Sequence, residues 1–364
     1  MPIYMDIHMM PGVKAKDVAE AHRKDLLQQD THSCNCMTYW IDEERGNIFC
    51  LIEAPNKEAV EDMHSKAHGL IPNKIIEVNT AIVESFLGRI YDPENATTTA
   101  EGLKVFHDPS FRILLVTQIT DPYLLRYRIG AEEANNLISS YTSAIRKNLV
   151  KHGGREAEHE GSGFIIAFTS AAKACACALD IKNDIGTNIK TLGLKMAINS
   201  GEPVEKSNNL FGDAIQFASQ LCIVAGNQQV AISSSVKTLV SKDLPALGKE
   251  FLSLLPQDEN LLKLLFSGLE ENWQDAEFDI ACYCKATAMS SSQLYRKTIA
   301  LTGLSPNILL RDFRLEKAKD LMEKQSFNIA QVTFDSGFTS ASYFTKCFKK
   351  KYGLLPLTYL NLLK

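Results

Sequence analysis

Five of the eight histidines in this 364-residue chain fall within its first ninety residues. His64 and His68 stand four apart, so on a helix both imidazoles leave one face a turn apart, the spacing that lets two nitrogens reach one metal ion. Asp6 and His8 share a strand face, and His22 sits on a helix expected beside the one carrying His64. His8, His22, His64 and His68 are therefore the candidate ligands for a divalent transition metal. Imidazole-rich sites suit Ni2+, Zn2+ and Cu2+ alike, and the affinity order favours copper. A solvated helix face carries the same His-x-x-x-His spacing, and His68, just before Gly69, suits a helix C-terminus for its charge alone. His32, Cys34 and Cys36 alternate along a strand and offer a second, softer set; filling an apolar core is the preferred reading of these cysteines.

The other chemistry-bearing groups lie at the opposite end. Ser291, Ser292, Gln293, Arg296 and Lys297 follow a capping Ser290, with Leu294 facing inward. About fifty residues later Ser340, Ala341, Ser342, Tyr343 and Lys346 occupy the equivalent place on a helix whose buried side is Phe344 and Phe348. Small, polar and cationic side chains at the N-terminal half of an exposed helix are what a recognition helix presents to base edges. Lys349, Lys350 and Lys351 follow, placed to neutralise phosphates.

These groups need positioning elements. Residues 1–90 read strand, helix, strand, strand, helix, strand, the ferredoxin-like order, and such small sheets often pair their open faces in a dimer. Asp92 to Ala100 is the most loop-like stretch and a credible linker. Residues 104–248 begin with the buried-type strand Phe111 to Ile119. A helix over 131–151 follows, then a hairpin turning at Glu160 to Gly163, a helix over 171–183, a strand over 194–199, a helix from Phe211, and a late strand at Val230 to Ser233. Residues 258–364 hold two helix-turn-helix units joined by a helix over 309–324. Asp335-Ser336-Gly337-Phe338 forms the second tight turn, with Gly337 free to take a positive φ.

The net charge of −4 hides an asymmetry. Residues 287–364 carry 12 Lys and Arg against 5 Asp and Glu; the rest carries 27 against 38. A basic terminal module on an acidic body is the footprint of a specific nucleic-acid reader. No stretch has the length of apolar sequence a membrane span needs, and the first residues lack a signal peptide's basic start. The nine cysteines form no small disulfide framework, so a reduced, cytoplasmic protein is expected.

The run Gly337-Phe338…Ser342-Tyr343-Phe344…Phe348-Lys349-Lys350…Gly353…Pro356 resembles the AraC/XylS-type DNA-binding domain across 258–364. That resemblance implies two recognition helices in successive major grooves of double-stranded DNA, with the inverted order at Thr298 and Ile299 a departure in the first unit. Met1 to Asp6, Val18 to His22, Tyr39-Trp40, Phe49 to Pro55 and His64…Ala67-His68-Gly69-Leu70 look like a family of small ferredoxin-like nickel-binding proteins, over residues 1 to about 80. Residues 104–248 resemble a class III nucleotidyl cyclase domain. Its framework motifs are His152-Gly153-Gly154, Gly161-x-Gly163-Phe164, Asn199-Ser200-Gly201-Glu202 and Gly212-Asp213-Ala214. In that alignment the two metal-holding carboxylates fall on Gln118 and Ser162, and the substrate-orienting Asn and Arg on Gln216 and Gln220. No residue is left to hold the metals or stabilise phosphoryl charge.

The expectation is an α+β multidomain protein: a ferredoxin-like βαββαβ domain at 1–90, a catalytically degenerate cyclase-like α/β domain at 104–248, and an all-α double helix-turn-helix domain at 258–364. It would be a homodimeric, non-enzymatic, sequence-specific DNA-binding regulator, not membrane-bound, answering to Ni2+ or another divalent metal, or to a nucleotide. The rival readings are a metal-regulated divergent cyclase and a nickel storage or trafficking protein that autoregulates.

Overall fold

In a computed structural model of the chain, the described residues are all but 95, 101, 161, 162, 226–228, 241–248, 325–327 and 364, with the side chains of 159 and 160 also outside the description. The expected turn at Glu160 to Gly163, with Ser162, and the end of the 104–248 segment therefore lie partly outside it.

The first sheet is built from β1 (Ile3–Met9), β2 (Asn35–Asp42), β3 (Asn47–Glu53) and β4 (Lys74–Val78), in the antiparallel order β2-β3-β1-β4. Helices α1 (Ala15–Gln28) and α2 (Lys57–Ala67) cover one face. Asp17 accepts from Lys14 N, Glu43 from Ala15 N, and Asn56 from Ala59 N, so both helix starts are capped by side chains. Period two divides β1 sharply. Tyr4, Asp6 and His8 face the helices, whereas Met5 and Ile7 face away.

That open face is not free to pair with a second copy. Met5, Ile7, Trp40, Phe49, Leu51 and Ile76 pack on Leu114, Ala167, Phe211 and Ala214 of the next unit. Helix α3 (Thr80–Leu87) wedges into the same core through Val83, Phe86 and Leu87. The face-to-face dimer expected from the sequence is thus replaced by an intramolecular contact, because these residues already have apolar partners.

The expected linker is likewise folded back. Strands β5 (Thr97–Thr98) and β6 (Lys104–Val105) form a small hairpin, and Leu103 and Phe106 enter the first core. Phe106 stacks on Tyr39 at 4.2 Å, and Tyr39 donates its hydroxyl to Lys104 O.

The second sheet follows from β7 (Arg112–Gln118), α4 (Pro122–Ile129), α5 (Ala131–His152), β8 (Arg155–Glu160), β9 (Gly163–Phe168), α6 (Ala171–Ile185), α7 (Ile189–Leu192), β10 (Lys195–Gly201), α8 (Gly212–Val224), β11 (Val230–Ile232), α9 (Ser234–Val240) and β12 (Phe251–Ser253). Its order is β12-β11-β10-β7-β9-β8. The strands β10-β7-β9-β8 repeat the antiparallel order of the first sheet, extended by parallel β11 and β12. Helices α5 and α6 cover the face bearing Ile113, Leu115 and Ile166. On the other face Leu114 meets the first sheet, while Val116, two residues on, meets α8 and the C-terminal helices.

Those are α10 (Pro256–Asn272), α11 (Ile280–Ala286), α12 (Ser291–Thr302), α13 (Pro306–Lys324), α14 (Ile329–Asp335), α15 (Ala341–Tyr352) and α16 (Pro356–Leu362). The first helix-turn-helix pair shares its core with α8 through Leu265, Leu294 and Leu309. The second has its own core of Leu315, Val332, Phe344, Phe348 and Tyr359, which Leu124 of α4 joins.

Candidate functional site

Two sites stand far apart in the fold: a buried polar cluster under α1 and α2, and the exposed faces of α12 and α15.

The cluster is centred on His64, fully buried on α2. Its Nε2 lies 3.0 Å from Asp6 Oδ2 and its Nδ1 3.1 Å from Asp25 Oδ1. His68 Nε2 approaches the same Asp25 oxygen at 3.1 Å, and His8 Nε2 stands 3.4 Å from Asp6 Oδ1. The ligand-type atoms fall into two sets within 4.8 Å of one another, Asp6/His8/Cys50/His64 and Asp25/His64/His68. Burial alone would lower the His64 pKa, but Asp6 and then Asp25 overcome it and push it up to about 10. Against the same burial, His64 and His8 hold Asp6 well below the usual carboxylate range. Burial raises the Cys50 thiol, with Asp6 adding to it.

Three of the four expected ligands, His8, His64 and His68, are brought together. His22 is buried but stands outside both sets, its ring 5.2 Å from that of Tyr39; from α1 it is Asp25, one turn on, that enters the cluster. The sequence reading missed Asp25 and Cys50 as ligand-type groups. The β1–β3 register, which sets Cys50 opposite Asp6, is the signal that finds Cys50. Cys34 and Cys36 are core residues, as preferred: Cys36 Sγ touches Met63 Sδ at 3.6 Å.

The donor set fits a divalent ion on two counts. Asp6 Oδ1 is buried without a hydrogen-bond partner, a cost the interior rarely tolerates without a ligand. Two carboxylates balance a 2+ charge once His64, protonated between Asp6 and Asp25 in the metal-free cluster, gives up its proton to the exchange.

At the other site the capping chemistry is as expected. Ser290 Oγ accepts from Gln293 N at 3.3 Å, and Gln293 Oε1 accepts from Ser290 N at 3.1 Å, a closed capping box. The Gln293 side-chain oxygen is thereby occupied, leaving its amide N–H groups outward. Ser291, Ser292, Arg296 and Lys297 are exposed, with Leu294 and Thr298 buried. Thr298 returns its hydroxyl to Leu294 O at 2.7 Å, which is how a polar residue fills that inward position.

On α15, Ser340 Oγ accepts from Tyr343 N at 3.4 Å. Ala341, Ser342, Tyr343, Lys346, Lys349 and Lys350 are exposed, opposite buried Phe344, Cys347 and Phe348. Lys351 departs from the expected phosphate role: its Nζ sits 2.9 Å from Glu316 Oε1 and 2.9 Å from Asp312 O on α13. Gly337 takes φ +76°, and a Cβ there would run into Trp273 O, which Arg314 Nε already engages at 2.9 Å.

Of the cyclase-equivalent positions, Gln118 ends β7 half-buried and Gln216 is exposed on α8. Gln220 is buried with its Oε1 unbonded. Ser162 lies outside the described residues. All nine cysteines are free, and no helix among the described residues is long and apolar enough to cross a membrane.

A ferredoxin-like unit with a metal-type cluster, joined in one chain to a double helix-turn-helix unit, defines the class: a composite helix-turn-helix protein. Comparison with known proteins gives the families. Residues 4–78 match the family model for nickel responsive protein SCO4226-like, and residues 283–361 the model for a helix-turn-helix domain. The chain thus carries an SCO4226-like domain and an AraC-type helix-turn-helix domain. It is 28% identical over 144 residues to the HTH-type transcriptional activator RhaS of Escherichia fergusonii, covering 39% of this chain and 51% of that protein. The solved structure of SCO4226 from Streptomyces coelicolor A3(2) is 34% identical, covering 21% of this chain and 94% of that one, with a TM-score of 0.20. The guanylyl cyclase Cya2 is an 18% identical structural neighbour, covering 35% and 77% with a TM-score of 0.30. The chain spans about half or less of the length of the curated relatives it matches, from 8% to 53%.

Proposed function

We propose that this regulator answers to a divalent metal, held by Asp6, His8 and His64 with Asp25 and His68 beside them. The observation that carries the reading is the fully buried Asp6 Oδ1, which accepts no hydrogen bond and has His8 Nε2 at 3.4 Å and Cys50 beside it. Nickel is supported by the family description of residues 4–78; the imidazole and carboxylate donors alone suit copper and zinc as well. When bound, the ion supplies a fixed 2+ charge between β1 and α2.

On this reading the chain divides as 1–90 for sensing, 104–248 for a degenerate cyclase-like body without turnover, and 258–364 for DNA. Base-edge contacts come from Ser291, Ser292, Gln293, Arg296 and Lys297 in one groove and from Ser340, Ala341, Ser342, Tyr343 and Lys346 in the next. Lys349 and Lys350 take phosphates. A homodimer, if formed, must use a surface other than the covered open face of the first sheet.

The test is operator binding by fluorescence anisotropy, with the operator chosen by selection from random duplexes, in Ni2+, Zn2+, Cu2+ and EDTA. Metal should change operator affinity for the wild type and not for Asp6→Asn/His8→Gln. Tight metal binding without any change in operator affinity would favour the storage reading. Cyclic nucleotide formed from ATP or GTP with Mn2+ would restore the enzyme reading.

A further inference from the structure

Where α3 ends against the second sheet, a cavity of about 280 Å³ is lined by Gly88, Arg89, Asp108, Arg112, Arg155 and Phe168. Three guanidinium groups meet one carboxylate there. Arg89 Nε is bonded to Asp108 Oδ2 at 2.8 Å, so that pair is neutral. Arg112 is 4% exposed, yet its donors go only to carbonyls: Phe86 and Leu87 at 3.0 and 3.1 Å, Pro109 and Phe111 at 2.5 and 3.1 Å. Those carbonyls take four of its five N–H groups, leaving one on Nη2, without supplying a counter-charge, and an uncompensated buried cation is costly. Burial first, and repulsion from Arg155 and Arg89 against the pull of Asp108, push the Arg112 pKa down to about 10.

Arg155, at the start of β8, is exposed and has neither an ion-pair nor a hydrogen-bond partner among the described residues. Gly88 admits it. With φ +89° and no Cβ, Gly88 lets the guanidinium lie where a Cβ would stand 2.8 Å from Arg155 Nη2. The cavity therefore holds two arginines that form no ion pair among the described residues, one of them buried, with Asp108 and Glu202 acting on Arg112 only at a distance.

We propose that this cavity binds a small dianion, phosphoryl or dicarboxylate, between Arg112 and Arg155. The planar, multi-donor fork of Arg155 is suited to two oxygens of such a group, and Phe168 offers an apolar wall to whatever carries it. The ligand would tie the end of α3 to the second sheet, an input separate from the metal cluster.

Isothermal titration of the full-length chain with inorganic phosphate and with succinate, in low-salt zwitterionic buffer, tests it. One saturable site is expected for at least one probe, weakened at least about tenfold in Arg155→Ala and unchanged in Arg126→Ala, an exposed arginine outside the cavity. Saturation by phosphate alone assigns a phosphoryl ligand, and by succinate alone a dicarboxylate. Circular dichroism of both variants confirms folding, and Arg155→Lys should bind between wild type and Arg155→Ala. No saturable binding up to about 10 mM, or equal weakening in both alanine variants, overturns the proposal.

Discussion

The three consecutive lysines of α15 look equivalent in sequence, and the structure predicts that they are not. Lys349 and Lys350 are exposed, whereas Lys351 is held 2.9 Å from Glu316. Each phosphate contact contributes about 0.9 to the slope of log K against log salt, so Lys349→Ala/Lys350→Ala should reduce the slope by about 1.8. Between 50 and 200 mM NaCl that amounts to about 1.1 decades, so the advantage of the wild type shrinks about twelvefold across the range. Lys351→Ala should leave the slope within about 0.3 of wild type and act through stability, by less than about 1 kcal/mol because Glu316 is half-exposed. Anisotropy titrations of a selected operator duplex at four salt concentrations, with thermal melts of each variant, read both effects. An unchanged slope in the double variant, or a loss of about 0.9 in Lys351→Ala, would refute the division of labour.

Further outcomes follow from other positions. Gly337→Ala, at φ +76° and against Trp273 O, should destabilise the DNA-binding helices by roughly 1–3 kcal/mol, visible as a lower urea midpoint. In EDTA, two buried histidines bend the pH dependence of stability in opposite senses. His64, raised to about 10, contributes stability that is full below pH ~6.5 and lost as pH rises through about 10; His22, lowered chiefly by burial, contributes stability lost as pH falls below ~6.5. Urea midpoints should therefore peak near pH ~6.5, and a midpoint that climbs from pH ~7 to ~9 would contradict the pairing of His64 with Asp6 and Asp25. Tyr359 Oη lies 2.6 Å from Asp121 Oδ2 and 2.8 Å from Glu323 Oε1, with its single proton available to one of them at a time, and joins α16 to α4; Tyr359→Phe should cost about 1 kcal/mol and weaken any metal effect on operator affinity, as read by anisotropy with and without metal.

The helix-turn-helix ends were legible because turn and cap chemistry is local. Ser290, Gln293, Ser340, Gly303 and Gly337 each act within four residues of themselves. The strands of the first sheet were legible as alternating strand and helix segments, β1 by its period-two run, and β7 as a continuous apolar run, whereas β12 is too short to stand out. Partners distant in sequence were not legible. Lys351 reads as a phosphate contact until Glu316, thirty-five residues away, is placed beside it. His22 reads as a ligand until α1 is rotated by its apolar face of Val18 and Ala19, which brings Asp25 to His64 and leaves His22 against Tyr39. The segment after Asp92 reads as a linker because its polar composition masks Leu103 and Phe106, two apolar residues whose core lies elsewhere in the chain. Helix α3 is short and apolar, so periodicity does not set it apart from the strand before it.

The placement of the cluster bears on how a signal could leave it. On β1, Asp6 and His8 face the helices while Met5 and Ile7 face the second sheet, so each cluster residue adjoins one that packs across the boundary. Lys74 of β4, the other neighbour of β1, adds a second tie, donating to the carbonyls of Glu205, Lys206 and Ser207 at 2.9, 2.5 and 2.6 Å. From there Asp121 accepts from both Tyr359 and Lys319, and Leu124 enters the core of the second helix-turn-helix pair. Contiguity of this kind is necessary for coupling by contact and does not create it. A ligand shifts an equilibrium only by the difference in its affinity for the two states. Asp6 Oδ1, buried without a hydrogen bond, gives that difference a location: an arrangement that lets an ion take it together with His8 gains a bond that the closed His64–Asp6 pair lacks. Any movement of β1 needed to reach it is delivered directly to Met5 and Ile7.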